Sequence, residues 1–200
     1  FNDFIGSCLG EVMNQGAKMR YMFGGKAKVP LTIRTNHGAG AGAAAQHSQS
    51  LYGLFTAIPG LKVVVPSNPY DAKGLLLTAI EDDDIVVFFE DKTLYSMEGE
   101  VPEGYYTIPL GKAEIKRKGE DLTIVAIGKM VHIGIEAANT LAKRGLDVEV
   151  IDPRSLSPLD EKTILKSVDK TGRLIVIDEA NPRCSVATDI SALVANKGFD

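Results

Sequence analysis

Apolar residues along the chain follow two spacings, one typical of amphipathic helices and one typical of buried strands. In the first half, helical spacing predicts helices that begin near Ile5, Leu51 and Pro69. Unbroken apolar runs predict strands at residues 31–33, 61–65 and 85–89. Because the last two runs lack polar alternation, they are typical of a parallel sheet that is covered on both faces.

The second half repeats this alternation of strands and helices. Its apolar runs predict strands at residues 113–117, 122–127, 148–151 and 174–177, and helices at about 131–143, 159–168 and 186–195. The short turn from Lys118 to Asp121 predicts that the first two of these strands form a hairpin. The alternation as a whole predicts an α/β fold with two open, mostly parallel sheets and helices on both faces.

A stretch of about twenty residues between the two halves shows neither spacing. Pro102, Gly104 and Pro109 interrupt it, and acidic residues are interleaved among them. We therefore predict a first unit at residues 1–90, a connector at 91–110 and a second unit at 111–200.

Composition and charge exclude several classes of protein. With 200 residues, of which 44% are hydrophobic, the chain can bury one substantial core or two small ones. A net charge of −4 leaves no basic surface for nucleic acid, and the run at residues 116–118 (KRK) is expected to be a solvated strand end. No apolar stretch approaches the roughly 18 residues that cross a bilayer, so we expect neither a membrane span nor a leader. We therefore expect the protein to be cytoplasmic. Cys8 and Cys184 have no nearby partner, so we expect buried free thiols.

The segment most suggestive of chemistry is the glycine- and alanine-rich loop that carries His47. Glycine and alanine let the backbone approach a ligand closely, and an imidazole titrates near neutral pH, so His47 is the candidate catalytic residue. His37, in the same loop, is expected to contact the site residues without contacting the ligand itself. His132, at the start of a helix, is expected to be a packing residue.

The loop also resembles the dinucleotide-binding fingerprint through Gly38, Gly40 and Ala43. That fingerprint requires an acidic residue at the end of the following strand. Here the strand ends at residues 65–67 (VPS), and the first acidic residue, Asp71, falls inside a predicted helix. We therefore set the nicotinamide interpretation aside, and no GxxxxGK segment indicates a nucleoside triphosphate site.

The acidic run at residues 81–84 (EDDD) lies at the end of a predicted helix, where the helix dipole favours cations. The run is either a solvated helix end or part of a cation site, since a helix C-terminus offers free carbonyl oxygens as ligands. The residues alone leave both interpretations open.

Five segments together resemble a known family. They are residues 21–26 (YMFGGK), 44–49 (AAQHSQ), 59–66 (PGLKVVVP), 71–76 (DAKGLL) and 178–183 (DEANPR). Through them the chain is similar, over its whole length, to the beta subunits of thiamine-diphosphate-dependent 2-oxo acid and acetoin dehydrogenase complexes, in the transketolase-like group. Residues 23–27 (FGGKA), 106–113 (YTIPLGKA) and 179–184 (EANPRC) resemble the acetoin-cleaving members more than the pyruvate or branched-chain members.

The resemblance implies a pyrimidine-binding domain followed by a transketolase C-terminal domain, with thiamine diphosphate bound between subunits. An alpha subunit would hold the diphosphate and magnesium, in line with the lack of a GDG-led motif here, and the beta subunit would bind the aminopyrimidine. Phe4 matches the aromatic residue that stacks on the pyrimidine, and His47 matches the active-site histidine. Several relatives hold potassium, largely through main-chain carbonyls, at positions that match Leu31, Ala79, Ile80, Asp82 and Asp84.

The resemblance further implies an oxidoreductase that cleaves acetoin and passes a two-carbon unit to a lipoyl group of an acyltransferase, within an alpha2beta2 heterotetramer. Two alternatives stay open: decarboxylation of pyruvate or branched-chain 2-oxo acids, and a non-catalytic scaffold subunit that completes a partner's site. The family's pyrimidine-contacting glutamate would precede Phe1, and the end of its C-terminal domain would follow Asp200. We therefore expect a fragment that is inactive by itself.

Overall fold

The chain folds into two four-stranded sheets, and the computed structural model describes residues 1–198. The strands are β1 (Thr32–His37), β2 (Lys62–Val64), β3 (Val86–Asp91), β4 (Glu114–Arg117), β5 (Leu122–Ala126), β6 (Val148–Asp152), β7 (Ser155–Ser157) and β8 (Leu174–Ile177). The α-helices are α1 (Ala17–Met22), α2 (Tyr52–Thr56), α3 (Pro69–Glu81), α4 (Met130–Ala142), α5 (Glu161–Thr171) and α6 (Val186–Lys197). The first sheet has the strand order β1-β3-β2-β7 and the second has the order β4-β6-β5-β8.

Most strand pairs are parallel. β3 pairs in parallel with β1 and β2, and β5 pairs in parallel with β6 and β8. Two strands run antiparallel to their neighbours, β7 beside β2 and β4 beside β6. This arrangement confirms the predicted α/β fold with two open, mostly parallel sheets. In each sheet the parallel strands end at the same edge, so the residues that follow them collect there.

The first predicted helix is an irregular succession of three helical segments. A 3-10 segment at Asn2–Cys8 leads into a π-helical turn at Glu11–Gly16 and then into α1. Glycines punctuate the segment, and glycine is a weak helix former. Gly16 also permits a close approach, because a Cβ there would lie 2.1 Å from Ile85 Cδ1, just before β3. The helical run ends before Gly24, as predicted.

The predicted hairpin between β4 and β5 is wrong, because β6 lies between these strands and pairs with both. The connecting turn packs onto the start of β6. A Cβ on Gly119 would lie 2.2 Å from the main-chain carbonyl carbon of Val148, and Arg117 Nη1 donates to the carbonyl oxygen of the same residue. The turn therefore crosses over β6 instead of folding back on itself.

A strand that the sequence did not predict joins the two halves of the chain. β7 comes from the second half but pairs with β2 in the first sheet, opposite Val63 and Val64. The chain turns into β7 at Arg154, whose φ of +60° is uncommon for a residue with a side chain. A three-residue strand with serine at both ends carries too little apolar signal to be recognised. The first sheet thus draws on both halves.

The connector packs along α3. After a 3-10 turn at Lys92–Leu94, the N–H of buried Ile108 donates to the Gly74 carbonyl on α3 (3.2 Å). Gly74 permits this approach, because a Cβ there would lie 2.7 Å from Ile108 Cγ1. The ring of Tyr106 stacks on that of Tyr70, with centroids 4.7 Å apart. The boundaries at residues 90 and 111 stay a prediction.

Charged and polar side chains from the two halves meet at the carboxyl ends of β2 and β6. Asp71 on α3 is buried and pairs with Lys116 (2.8 Å) and Arg154 (2.8 Å) from the second half. Asp152, at the end of β6, accepts from the Ser67 hydroxyl (2.5 Å) and the Arg154 main-chain N–H (2.9 Å). Burial raises the pKa of Asp152 to about 6. We call these five residues the junction cluster.

Two expectations about single residues have different outcomes. His132 is half-buried, and its Nε2 lies 2.6 Å from the Ser67 carbonyl oxygen, so it packs beside the junction cluster as predicted. Cys8 and Cys184 are free thiols, but both are exposed, so the prediction that they are buried is wrong. The 3-10 segment turns by a different angle per residue than an α-helix, which takes Cys8 off the expected apolar face.

One apolar core runs through both halves. Its buried side chains include Tyr52, Phe55, Phe89, Ile127, Ile151, Ile164 and Ile190. Smaller clusters lie between α3 and the first sheet and between α4 and the second sheet. The longest helices that the structure describes have 13 residues, and within residues 1–198 none has the length and apolar character needed to span a bilayer.

Candidate functional site

Residues 38–50, which we call the His47 loop, follow β1 at the carboxyl edge of the first sheet. Gly38 begins the loop with a φ of +103°, and its N–H donates to the Gln49 carbonyl (3.1 Å), which closes the base of the loop. Ala44 has a φ of +60° and a ψ of −178°, a combination that strains any residue other than glycine. A 3-10 turn at Ala45–His47 then presents the imidazole. Because backbone strain of this kind clusters at functional sites, the loop is the candidate site.

The structure places His47 beside two phenylalanines of the N-terminal segment. The half-buried imidazole lies edge-on to the rings of Phe1 and Phe4, with centroids 4.5 and 5.2 Å away. The Lys92 ammonium donates to the His47 carbonyl and lies 5.1 Å from the Phe1 ring centroid. Phe4 is 51% exposed, so a flat ring can stack on it. The two residues predicted for catalysis and for pyrimidine stacking therefore lie side by side.

Hydrogen bonds join the N-terminal segment to the His47 loop. The buried side chain of Asn2 donates to the Gln49 carbonyl (3.0 Å) and accepts from the Leu51 N–H (2.8 Å). Asp3 Oδ1 accepts from the Gln49 side-chain amide (3.0 Å). These hydrogen bonds thus tie the segment that carries Phe4 to the end of the loop that carries His47.

A buried polar cluster lies behind the loop, and we call it the loop-base cluster: His37, Ser50, Asp91, Lys129 and Glu179. His37 is the buried last residue of β1, and its Nδ1 lies 3.1 Å from Ser50 Oγ and 3.3 Å from Glu179 Oε1. Ser50 donates to the same Glu179 oxygen (3.0 Å). The Lys129 ammonium contacts the other Glu179 oxygen and lies 3.8 Å from Asp91 Oδ2.

Electrostatics fix the charge states of two groups near this cluster. Burial by itself would raise the pKa of Glu179, but hydrogen bonds from His37 and Lys129 and the charge of Lys129 lower it well below its ordinary value. Burial raises the pKa of Tyr52, and so does the carboxylate of Asp178, to which its hydroxyl donates. Glu179 is therefore an anion and Tyr52 a neutral donor throughout the physiological range.

The loop-base cluster has the side chains of a small cation site. Within residues 1–198, His37, Asp91 and Glu179 each offer a ligand atom, and these atoms lie within 4.8 Å of one another. Asp91 Oδ2 is buried and has no hydrogen-bond partner among the described residues. The Lys129 ammonium, however, lies against both carboxylates, so the cluster already contains a positive centre that would repel a divalent ion.

The five residues predicted for potassium lie around the end of α3 and the start of β1. The Thr32 hydroxyl donates to the Ala79 carbonyl (2.8 Å), which holds the start of β1 against the last turn of α3. The Leu31 carbonyl accepts from the Val86 N–H (3.0 Å). Leu31 and Ile80 expose their side chains. The structure thus brings the main chains of Leu31, Ala79 and Ile80 into one region.

The two acidic members of the predicted potassium site have partners within the protein. Lys62 Nζ lies 2.6 and 2.7 Å from the two Asp82 oxygens and 3.4 Å from Asp84 Oδ2. Arg20 lies 3.3 Å from the other Asp84 oxygen, and Lys28 pairs with Asp83 (2.9 Å). These basic side chains explain how three adjacent aspartates are tolerated at the end of a helix.

Sequence reasoning missed Asp91, Lys129 and Glu179 as members of a site. Each comes at or shortly after the end of an apolar strand: Asp91 ends β3, Lys129 follows β5 and Glu179 follows β8. Because the carboxyl ends of parallel strands gather at one edge, a polar residue directly after an apolar strand was the available signal. The sequence did not show that these edges of the two sheets face each other.

Comparisons with known proteins match both halves of the chain. The family model for the transketolase pyrimidine binding domain matches residues 1–98, and the model for the transketolase C-terminal domain matches residues 111–200. The chain is 73% identical over 200 residues to the beta subunit of an acetoin:2,6-dichlorophenolindophenol oxidoreductase of Bacillus subtilis (strain 168), covering 100% of this chain and 58% of the relative. It is 61% identical over 199 residues to the subunit of the same name from Cupriavidus necator, covering 100% of this chain and 59% of the relative.

More distant similarities extend this picture. The beta subunit of the pyruvate dehydrogenase E1 component of Bacillus subtilis (strain 168) is 48% identical over 200 residues, which are 100% of this chain and 62% of the relative. A solved structure described as a split gene transketolase, inactive beta4 tetramer, superposes with a TM-score of 0.82 at 23% identity, covering 98% of this chain and 61% of that one. That structural likeness shows a shared fold. The chain spans about three fifths of the length of the relatives it matches.

Proposed function

The chain belongs to the transketolase family, whose pyrimidine-binding and C-terminal domains it carries, and we propose that it is part of the beta subunit of a thiamine-diphosphate-dependent acetoin dehydrogenase component. The proposed reaction cleaves acetoin, releases acetaldehyde and passes the remaining two-carbon unit to a lipoyl disulfide of an acyltransferase. An alpha subunit completes the site in the proposed alpha2beta2 heterotetramer. The observation that carries the proposal is the pairing of the His47 imidazole with the half-exposed ring of Phe4.

The choice of acetoin as the substrate is supported by the ranking of relatives. Beta subunits that are named for acetoin are 73% and 61% identical to this chain, whereas those named for pyruvate and 2-oxoisovalerate in Bacillus subtilis are 48% and 39% identical. Decarboxylation of pyruvate or a branched-chain 2-oxo acid is the nearest competing proposal.

The residues beside His47 fit an aminopyrimidine. Phe4 offers a flat, accessible ring, and the start of the His47 loop carries only hydrogen atoms or methyl groups from Gly38 to Ala45. When bound, thiamine diphosphate would supply a nucleophilic carbon that can attack a carbonyl group and a thiazolium ring that can take up the electrons of a breaking bond. We assign the diphosphate and its magnesium to the alpha subunit, so the 200-residue chain alone is expected to be inactive.

The chain's own residues would orient the cofactor ring and move a proton. Phe4 stacks on the pyrimidine, and Asn2 fixes Phe4 relative to the loop through Gln49 and Leu51. His47 holds or donates a proton at an imidazole nitrogen while the two-carbon unit is handed to the lipoyl group. The edge-on contacts of the imidazole with Phe1 and Phe4 limit the directions in which that proton can be offered.

The proposed substrate can be tested on the full-length subunit assembled with its alpha subunit. Reduction of a lipoyl domain is measured with acetoin, pyruvate and 3-methyl-2-oxobutanoate as substrates. We expect the ratio kcat/KM to be highest for acetoin. A higher ratio for either 2-oxo acid would replace acetoin cleavage with the decarboxylating alternative.

The role of His47 is tested by the substitution His47→Ala. General acid–base catalysis contributes about 100-fold or more, so lipoyl reduction should fall by about that factor while the heterotetramer still assembles. The matched control is His132→Ala, which removes a half-buried histidine from α4, outside the His47 loop. Equal rates for His47→Ala and the unmodified complex would contradict the assignment.

The role of Phe4 is tested by the thiamine diphosphate concentration needed for half-maximal activity. Loss of a stacked ring is worth about 0.5–1.5 kcal/mol, so Phe4→Ala should raise this concentration up to about tenfold. Phe23→Ala removes another exposed phenylalanine, after α1, and serves as control. If neither Phe4→Ala nor His47→Ala affects an assembled complex, the subunit is a scaffold that completes a partner's site.

The proposal has two further features, a potassium site and a cytoplasmic location. A potassium ion would use the carbonyls of Leu31, Ala79 and Ile80, sharing Asp82 and Asp84 with Lys62. We expect the assembled complex to melt at a higher temperature in potassium chloride than in tetramethylammonium chloride, and equal melting temperatures would refute this. The two free thiols support a cytoplasmic location, since disulfides are rare in that compartment.

A further inference from the structure

Both ends of the His47 loop contact side chains from the second half of the chain. Glu179 Oε1 accepts from Ser50 at the end of the loop (3.0 Å) and would lie 2.9 Å from a Cβ on Gly38 at its start. Lys129 Nζ would lie 3.1 Å from a Cβ on Gly40. From these contacts we propose that Glu179 and Lys129 are positioning residues, which clamp the loop and so set the orientation of His47.

The glycines at the start of the loop allow Glu179 and Lys129 to approach its backbone closely. Gly38 has a φ of +103°, and its missing side chain leaves room for the carboxylates of Glu179 and Asp91, 2.9 and 3.0 Å from the Cβ position. A Cβ on Gly40 would also lie 2.6 Å from Thr93 Cγ2. A Cβ at either glycine would therefore force the loop or these neighbouring side chains to shift.

The clamp is strong because it is shielded from water. The side chains of Glu179 and Lys129 are 10% and 19% exposed, and the Lys129 ammonium contacts Glu179 directly. Breaking a shielded ion pair by removing one partner is far more disruptive than breaking an exposed one, because it leaves the other charge buried and unpaired. The hydrogen bonds within the arm of the loop, from the Gly42 N–H to the Ala39 carbonyl (3.0 Å) and from the His47 N–H to the Ala44 carbonyl (3.3 Å), join near neighbours and do not link it to the second half of the chain.

An ion pair accounts for this cluster better than a bound metal does. The carboxylates of Asp91 and Glu179 both face the Lys129 ammonium, so the cluster already contains its own counter-charge. A divalent cation would instead leave an excess of positive charge beside Lys129. The cluster therefore acts as a mechanical link between the second half and the loop.

This inference rests on the proposed function only for the role of His47, and it has its own physical readout. Hydrogen exchange of residues 38–50 is measured by mass spectrometry in the assembled, cofactor-loaded complex. Lys129→Gln and Glu179→Gln break the clamp. Ser50→Ala removes only the hydroxyl that Glu179 accepts from, and it is the variant least disruptive to the fold. Lys116→Gln is the matched control, since it breaks another ion pair between the halves, with Asp71 (2.8 Å), in the junction cluster.

We expect exchange in residues 38–50 to quicken about tenfold in Lys129→Gln and Glu179→Gln, less in Ser50→Ala, and not at all in Lys116→Gln. The kcat for lipoyl reduction should fall about tenfold in the first two variants, with little change in KM for acetoin, and Lys129→Arg should restore most of it. Unchanged exchange in the loop, or an equal change in Lys116→Gln, would overturn the proposal. If exchange quickens as expected but the unmodified complex does not cleave acetoin, the clamp stands and the proposed function fails.

Discussion

Replacing Asp152 with asparagine should remove a pH dependence of stability that comes from one buried carboxyl group. Burial raises the pKa of Asp152 to about 6, against an ordinary value of 3.8, while the nearby charges of Lys116 and Asp71 act in opposite directions. The folded protein therefore binds this proton more tightly than the unfolded chain does. The stability that depends on it is present below about pH 4, is lost as the pH rises to about 6, and changes no further above that.

The size of the effect follows from the difference in pKa. The two values differ by about two pKa units, and each unit corresponds to about 1.4 kcal/mol, so this group lowers the free energy of unfolding by about 3 kcal/mol between pH 4 and pH 6. Asparagine cannot ionise, so Asp152→Asn lacks this fall. Its carboxamide keeps an oxygen for the Arg154 N–H, and the Ser67 hydroxyl can turn to accept from the new amide.

The measurement is urea unfolding at closely spaced pH values, followed by circular dichroism, on the full chain and on Asp152→Asn. Subtracting the free energy of unfolding of Asp152→Asn from that of the unmodified chain at each pH removes the contribution of the other titrating groups. Asp169→Asn, on the exposed face of α5, is the matched control and should give a curve parallel to that of the unmodified protein. Parallel curves for Asp152→Asn as well would refute the reasoning, because they would mean that the carboxyl group is not desolvated by the contact between the two halves.

Three further predictions concern packing and backbone strain. Phe55→Ala removes a fully buried ring and should lower the free energy of unfolding by about 3–5 kcal/mol in urea, and a loss below about 1 kcal/mol would contradict its place in the core. Gly60→Ala places a Cβ 2.0 Å from the carbonyl oxygen of Ala17 at a φ of +99°, so we expect this variant to show no cooperative thermal transition. Its control is Gly145→Ala, at a φ of +83° with open space around it, which should lower the free energy of unfolding by only about 1–2 kcal/mol. Ala44→Gly relieves a strained φ of +60° and should raise the melting temperature by a few degrees while slowing lipoyl reduction, and a lower melting temperature would count against the strain.

The fold class was predictable because both sheets are built from elements whose apolar spacing is unambiguous. Buried runs such as those of β3 and β6 carry no polar alternation, and their neighbouring helices have clear starts, as at Asn68, whose side chain accepts from the Asp71 N–H (2.8 Å). Strand pairing was less predictable. The turn at residues 118–121 has the length of a hairpin, and only the tertiary contact of Gly119 with β6 decides that it crosses over.

The candidate site was predictable in part, for a related reason. His47 stands out because glycine and alanine surround it, and the family resemblance suggested Phe4; the structure brings the two rings together. Lys129 and Glu179 lie in the other half of the chain, and only the facing edges of the two sheets bring them to the loop. A single sequence contains no signal that these residues, far apart along the chain, come into contact.

The pairing of β7 with β2, at one edge of the first sheet, limits how such chains can evolve by recombination. Because β7 lies about ninety residues beyond β2 and yet completes its sheet, a crossover in the connector would pair a β2 from one parent with a β7 from another. A viable hybrid would have to inherit residues 61–65 and 154–158 from the same parent. Subunits of this kind should therefore exchange whole genes more readily than half genes.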